Sequence, residues 1–173
     1  MLIRTERKAY MLKFKIGTSN VKVSGITYVG GMTGTGKTTT LIELARQNAD
    51  SERTSFFCSR DISRTLLPVL VDGLSRCTDS RCNVYIDNAE ELKETQSELY
   101  CDIIKLSAYH NVVLGGFQTF DVRTLNPEDA YIRTSIMEMG DRWHFTRALI
   151  FPEIGRNTAE FCGSCAEHRL TKG

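Results

Sequence analysis

Residues 31–38 read Gly31-Met32-Thr33-Gly34-Thr35-Gly36-Lys37-Thr38, a complete G-x-x-x-x-G-K-T loop. Its flanks restrict the fold strongly. Ile26-Thr27-Tyr28-Val29 is β-rich, and Thr39-Thr40-Leu41-Ile42-Glu43-Leu44-Ala45-Arg46 reads as a helix. Strand, glycine turn and helix form the context in which this pattern cradles a triphosphate. Gly31, Gly34 and Gly36 let the backbone curl so that its N–H groups point inward as an anion nest. The helix N-terminus adds partial positive charge. The stretch from Gly31 through Thr39, with Met32, Thr33 and Thr35 between the glycines, is therefore the expected phosphate cradle. Lys37 reaches the β- and γ-phosphates and the Thr38 hydroxyl ligates Mg²⁺, so ATP and Mg²⁺ are the expected ligands.

Beyond the loop, strand-like and helix-like segments alternate. Phe14-Lys15-Ile16 and Val21-Lys22-Val23 flank Gly17-Thr18-Ser19-Asn20 and predict a small N-terminal hairpin. Strands are expected at 53–58, 83–87, 111–116 and 143–151, with a further one at 158–161. Helices are expected over 62–74, starting at or bending near Pro68, over 91–110 and over 130–139. In the 91–110 segment, Leu92, Leu99, Ile103 and Leu106 share one helical face, and His110 closes it as a structural residue. Residues 72–82 and 119–129 read as loops. Such alternation predicts an α/β fold, a mainly parallel sheet with helices on both faces. Ligands then bind at the carboxyl ends of the strands.

Val84-Tyr85-Ile86-Asp87 is an apolar strand ending in an acid, the form required of a second Mg²⁺ position, so Asp87 is assigned to the metal with Thr38. Hydrolysis also needs a base or a water-positioning group. Two sites compete: Asp61, after the second strand, and Glu90, which with Glu91 follows Asp87-Asn88-Ala89. A helix cap for Asp61 and a solvated first turn for Glu90 explain these residues as readily as catalysis does. Gln118, at the end of Gly115-Gly116-Phe117-Gln118, can sense the γ-phosphate and move the loop after it.

The 173-residue chain has 41% hydrophobic and 25% charged residues, enough for one domain with a full core. No apolar run approaches membrane-spanning length, and a reducing, cytoplasmic setting is expected for a nucleotide-binding chain. With a net charge of +1 there is no global field for a polyanion, so nucleic-acid binding would depend on local loops. The basic stretch 1–11 reads as a tail, 12–161 as the nucleotide-binding domain and 162–173 as a second tail. Of the six cysteines, Cys58 and Cys101 read as small core residues. Cys162-Gly163-Ser164-Cys165 with His168 is at best half a zinc site, which Cys77 and Cys82 could complete; two unpaired thiols in a turn are the simpler explanation.

In this order the motifs resemble the RecA-like P-loop ATPase core, and most closely the motor domain of DnaB-type ring helicases. The resemblance covers most of residues 12–160. Phe56-Phe57-Cys58-Ser59-Arg60-Asp61 is similar to that family's strand bearing the catalytic glutamate, which implies Asp61 as the base. Ile86-Asp87-Asn88 resembles its Walker-B segment, and Gln118 its strand-end glutamine. Residues 119–129 would form its DNA-binding loop, with Arg123 as a phosphate contact. Ile132-Arg133-Thr134-Ser135-Ile136-Met137-Glu138 is similar to a further family segment, one residue shorter here. Arg156-Asn157 resembles the Arg-Asn whose arginine reaches a neighbouring subunit's nucleotide. The resemblance thus implies an oligomeric, ring-forming ATPase acting on single-stranded nucleic acid. The chain also resembles the thymidine kinase family, which implies a nucleoside kinase, although Asn88 stands where that family has its catalytic glutamate. A weakly hydrolysing ATP-binding switch is the third alternative.

Overall fold

The computed structural model describes residues 12–16, 19–23, 25–49, 53–59, 66–126, 128–139, 142–150 and 161–162. Strands β1 (Leu12–Ile16) and β2 (Ser19–Val23) pair antiparallel as the expected hairpin. The main sheet contains β3 (Thr27–Gly31), β4 (Ser55–Cys58), β5 (Asn83–Ile86), β6 (Asn111–Phe117), β7 (Ala130–Met139), β8 (Arg142–Ile150) and β9 (Phe161–Cys162). Its spatial order is β4-β5-β6-β3-β7-β8-β9. The first five are parallel; β8 and β9 add antiparallel at one edge.

The helices are α1 (Lys37–Gln47), α2 (Leu66–Arg76), α3 (Ala89–Thr95) and α4 (Ser97–Leu106). Side chains alternate across the parallel strands as the period of two requires. Val29, Tyr85, Val113 and Ile132 meet Leu41 and Leu44 of α1 on one face. Tyr28, Val84, Ile86, Val112, Leu114 and Tyr131 meet Leu67, Val71 and Leu74 of α2 and Ile103 and Leu106 of α4 on the other. Both faces of the central strands are thus buried, which explains their near-continuous apolar runs.

Three sequence expectations are corrected. Residues 130–139 form β7, not a helix: Ala130 and Ile132 face one core while Tyr131 faces the other, and Thr27–Gly31 pairs with Ala130–Thr134. A helix would leave the free edge of β3 unpaired, so sheet completion overrides local propensity. The single helix expected over 91–110 is two, α3 and α4, divided at Gln96 with φ −140° and ψ 64°. Cys101 is exposed, whereas Cys58 is buried and its thiol is pushed up by that burial. Pro68 falls in the first turn of α2, where its missing N–H removes no helical hydrogen bond. His110 is structural as expected. Its Nδ1 accepts the Cys82 N–H at 3.0 Å, so Nε2 carries the proton and donates to the Leu74 carbonyl at 2.8 Å.

The segment leaving β6 is pinned at both ends. Phe120 packs against Tyr28, Tyr131 and Phe117 at centroid distances of 4.6, 5.0 and 5.4 Å. A short 3₁₀ turn follows at Val122–Thr124. Buried Asp129 then accepts the Ile26 N–H at 2.9 Å. Burial raises the Asp129 carboxyl above its ordinary value. An acid raised in the fold keeps a proton that the unfolded chain has released, so this contribution is present at low pH and is lost as pH rises through the raised value. Urea unfolding from pH 4 to 7 should show the wild type losing stability relative to Asp129→Asn; a constant difference would contradict the burial argument.

Candidate functional site

The site is built on three adjacent strand ends. Because β6 lies between β3 and β5, its last residues separate the phosphate loop after β3 from the acid after β5. The loop is curled by positive φ at Gly31, Gly34 and Gly36, of +152°, +77° and +89°. Lys37 folds back over it and donates from Nζ to the Gly31 carbonyl at 2.9 Å. Thr35 Oγ1 donates to the Met32 carbonyl at 2.6 Å and lies 2.7 Å from Thr134 Oγ1 on β7. Thr134 Oγ1 also lies 3.2 Å from the Gly30 carbonyl, and its single proton serves either that oxygen or Thr35 Oγ1. Met32 is 67% exposed at the lip, and Thr39 is exposed in the first turn of α1.

Across the cleft, Thr38 Oγ1 donates to Asp87 Oδ2 at 2.7 Å. The other carboxylate oxygen of Asp87 accepts the Asn88 N–H at 2.9 Å. Asn88 has φ 57°, a left-handed conformation that Asn tolerates better than most residues. That turn carries the chain from β5 into α3, and the Asn88 amide donates to the Glu91 carboxylate. The backbone of Gly116 faces it. Gly116 has φ +93°, and a Cβ there would stand 2.5 Å from Asn88 Cα.

Glu90 and Gln118 complete the wall. Glu90 Oε2 accepts the Gln118 N–H at 2.9 Å, and Gln118 Nε2 donates to Thr33 Oγ1 at 2.9 Å. The cleft between these groups measures about 630 Å³ and is lined by Thr33, Gly34, Lys37, Thr38, Asp87, Asn88, Glu90, Glu91, Glu94, Gly116, Gln118 and Thr119. Four carboxylates face one lysine among these residues. An anionic phosphate chain fits such a cleft when a cation accompanies it, and the Thr38 hydroxyl with the Asp87 carboxylate supplies the hard oxygen donors that suit Mg²⁺.

The structure therefore gathers Lys37, Thr38, Asp87, Glu90 and Gln118 around one cleft. Asp61, Arg156 and Cys165 lie outside the described residues, as does the side chain of Cys162. Cys77 and Cys82 carry free thiols, and no cluster of three His, Cys, Asp or Glu side chains with metal-holding geometry occurs among the described residues. Arg123 donates from Nε and Nη2 to the two carboxylate oxygens of Asp121, at 2.9 and 3.0 Å, and those hydrogen bonds hold the Asp121 carboxyl below its usual range. Arg76 is likewise paired with Asp72.

Thr134, Asn88 and Gly116 are the site residues that sequence reasoning missed. Thr134 was hidden by the helical expectation for 130–139; parallel pairing of β7 with β3 sets it opposite Gly31. For Gly116, the signal was a glycine pair at the end of an apolar strand.

The strand order and the loop at the end of β3 decide the architecture, and comparison with solved structures agrees. The chain is similar to the crystal structure of the flagellar accessory protein FlaH from Methanocaldococcus jannaschii, with 11% identity and a TM-score of 0.54. The match covers 82% of this chain and 88% of that one. The fold is RecA-like. No protein-family model matches the chain, and no curated protein does. No helix among the described residues is long and apolar enough to cross a membrane.

This RecA-like cleft depends on the close approach of Gly116 to Asn88. Gly116→Ala should lower stability by about 1–3 kcal/mol through positive-φ strain and the clash with backbone. Equilibrium unfolding in urea measures it, and a loss below about 0.5 kcal/mol would show that the two turns separate freely.

Proposed function

We propose that this chain is a Mg²⁺-dependent P-loop ATPase. One observation carries the proposal: the Thr38 hydroxyl and the Asp87 carboxylate, far apart in sequence, meet at 2.7 Å at the mouth of a loop already shaped for phosphate. Thr38 and Asp87 would hold Mg²⁺, which when bound offsets phosphate charge. The backbone of residues 31–39 and Lys37 would hold the phosphates.

Glu90 is the favoured base. Its carboxylate lines the same cleft, and the Gln118 N–H holds one of its oxygens, leaving the other to take a proton from water. Gln118 has an amide in reach of the phosphate loop, which suits a residue that orients water or senses the γ-phosphate. The family resemblance had favoured Asp61 for the base; the placement of Glu90 supports the other choice.

The wider role expected from sequence, action on single-stranded nucleic acid as an oligomer with Arg156 serving a neighbouring subunit, belongs to the same proposal but draws less support. The segment after Gln118 is anchored by Phe120, and its Arg123 is neutralised by Asp121.

Steady-state ATP hydrolysis tests the assignment. Lys37→Ala should abolish turnover. Glu90→Gln should cut it by roughly 10²–10⁴-fold while nucleotide binding persists. Asp61→Asn should stay within a few-fold of wild type; the opposite pattern would transfer the base to Asp61. Added single-stranded DNA or RNA, beside a mass measurement of the assembly, separates motor from polymer-independent ATPase. Phosphorylation of thymidine would instead establish a nucleoside kinase.

A further inference from the structure

Gln118 is held at two points by two different elements. Its backbone N–H is bound to Glu90 on α3, 28 residues earlier, and its side-chain amide to Thr33 in the phosphate loop, 85 residues earlier. We infer that Thr33 is a positioning residue: its hydroxyl holds the Gln118 amide over the phosphate loop so that Gln118 and Glu90 act as one unit on the attacking water. This rests on the ATPase proposal above and adds to it a residue that would otherwise count only as loop backbone.

A primary amide has two N–H donors and one acceptor. Thr33 Oγ1 takes one donor at 2.9 Å, which leaves one N–H and Oε1 for a phosphoryl oxygen and a water. A glutamine side chain free in solvent samples many rotamers, and ordering it costs conformational entropy. The Thr33 contact supplies that order before substrate arrives, as catalytic preorganisation requires. Thr33 is exposed, so its hydroxyl has no role in the core. Gly116 contributes by turning the strand end: with φ +93° it directs Phe117 inward, where it is 2% exposed, and Gln118 toward the cleft. Thr33 lines the same cleft through the loop's own curl.

The test compares Thr33→Val, Thr33→Ser, Gln118→Ala and the Thr33→Val/Gln118→Ala double variant, with Lys37→Ala as the inert control. Each is assayed for ATP turnover and, separately, for Mg²⁺-ATP affinity by fluorescence titration. Thr33→Val should lower kcat roughly tenfold, the rate equivalent of one hydrogen bond, with affinity unchanged. Thr33→Ser, which keeps the hydroxyl, should restore most of that rate. In the Gln118→Ala background, Thr33→Val should have no further effect, because the two act through each other.

The inference is overturned if Thr33→Val turns over within twofold of wild type. It is equally overturned if affinity falls in step with kcat, if Thr33→Ser is as impaired as Thr33→Val, or if the double variant is additive. A wild type as inert as Lys37→Ala overturns the ATPase proposal and this inference together, whereas an active wild type with an indifferent Thr33→Val overturns only the latter.

Discussion

The insertion of β6 between β3 and β5 is the constraint on which the site depends. In the ladder, Tyr28 pairs with Leu114 and Ile86 pairs with Leu114 from the other side, so β5 ends first and the chain leaving it turns beside the last residues of β6 and β3. The phosphate loop, the Gly116 turn and the Asp87-Asn88 turn are then forced side by side. Each of these turns uses a positive φ, in glycine or in Asn88, to redirect the chain within one or two residues. The buried alternating faces fix this register, because a slip of one residue would turn every core side chain to the opposite face.

The chemistry of the cleft follows from what each turn presents. Backbone amides and Lys37 come from the first, Gln118 from the second, and carboxylates from the third. With this excess of acid over base, a phosphate chain held there would need a cation beside it. Thr134 braces the loop from the far side: its buried hydroxyl ties β7 to the start of the loop, with Thr35 Oγ1 and the Gly30 carbonyl both in reach of its proton. The loop is therefore held from beneath by one strand and across the cleft by another, which keeps its amides oriented before a ligand arrives.

The segment between Gln118 and β7 is a loop, as expected, and it is held at both ends. Phe120 fills a box of Tyr28, Phe117 and Tyr131, while Asp129 caps the strand by binding the Ile26 N–H. Sequence reasoning read 119–129 as a loop but had no means of knowing that one phenylalanine would find three aromatic partners from three strands. Nor could it see that Arg123 turns to Asp121 two residues away, which removes much of its value as a phosphate contact.

By itself the sequence determined whatever local pattern and short spacing can encode. The glycine loop with Lys37 and Thr38, the apolar strand ending in Asp87 and the short apolar core strands were all legible, because each is specified within about ten residues of chain. Tertiary structure decided the rest: that residues 130–139 are a strand, that Glu90 shares a cleft with Gln118, and that Thr33 and Thr134 brace the phosphate loop. These contacts join residues 28, 85 and 99 positions apart and exist only once the parallel strands have paired. Parallel pairing sets register between segments that never meet in sequence, and no local propensity carries that information.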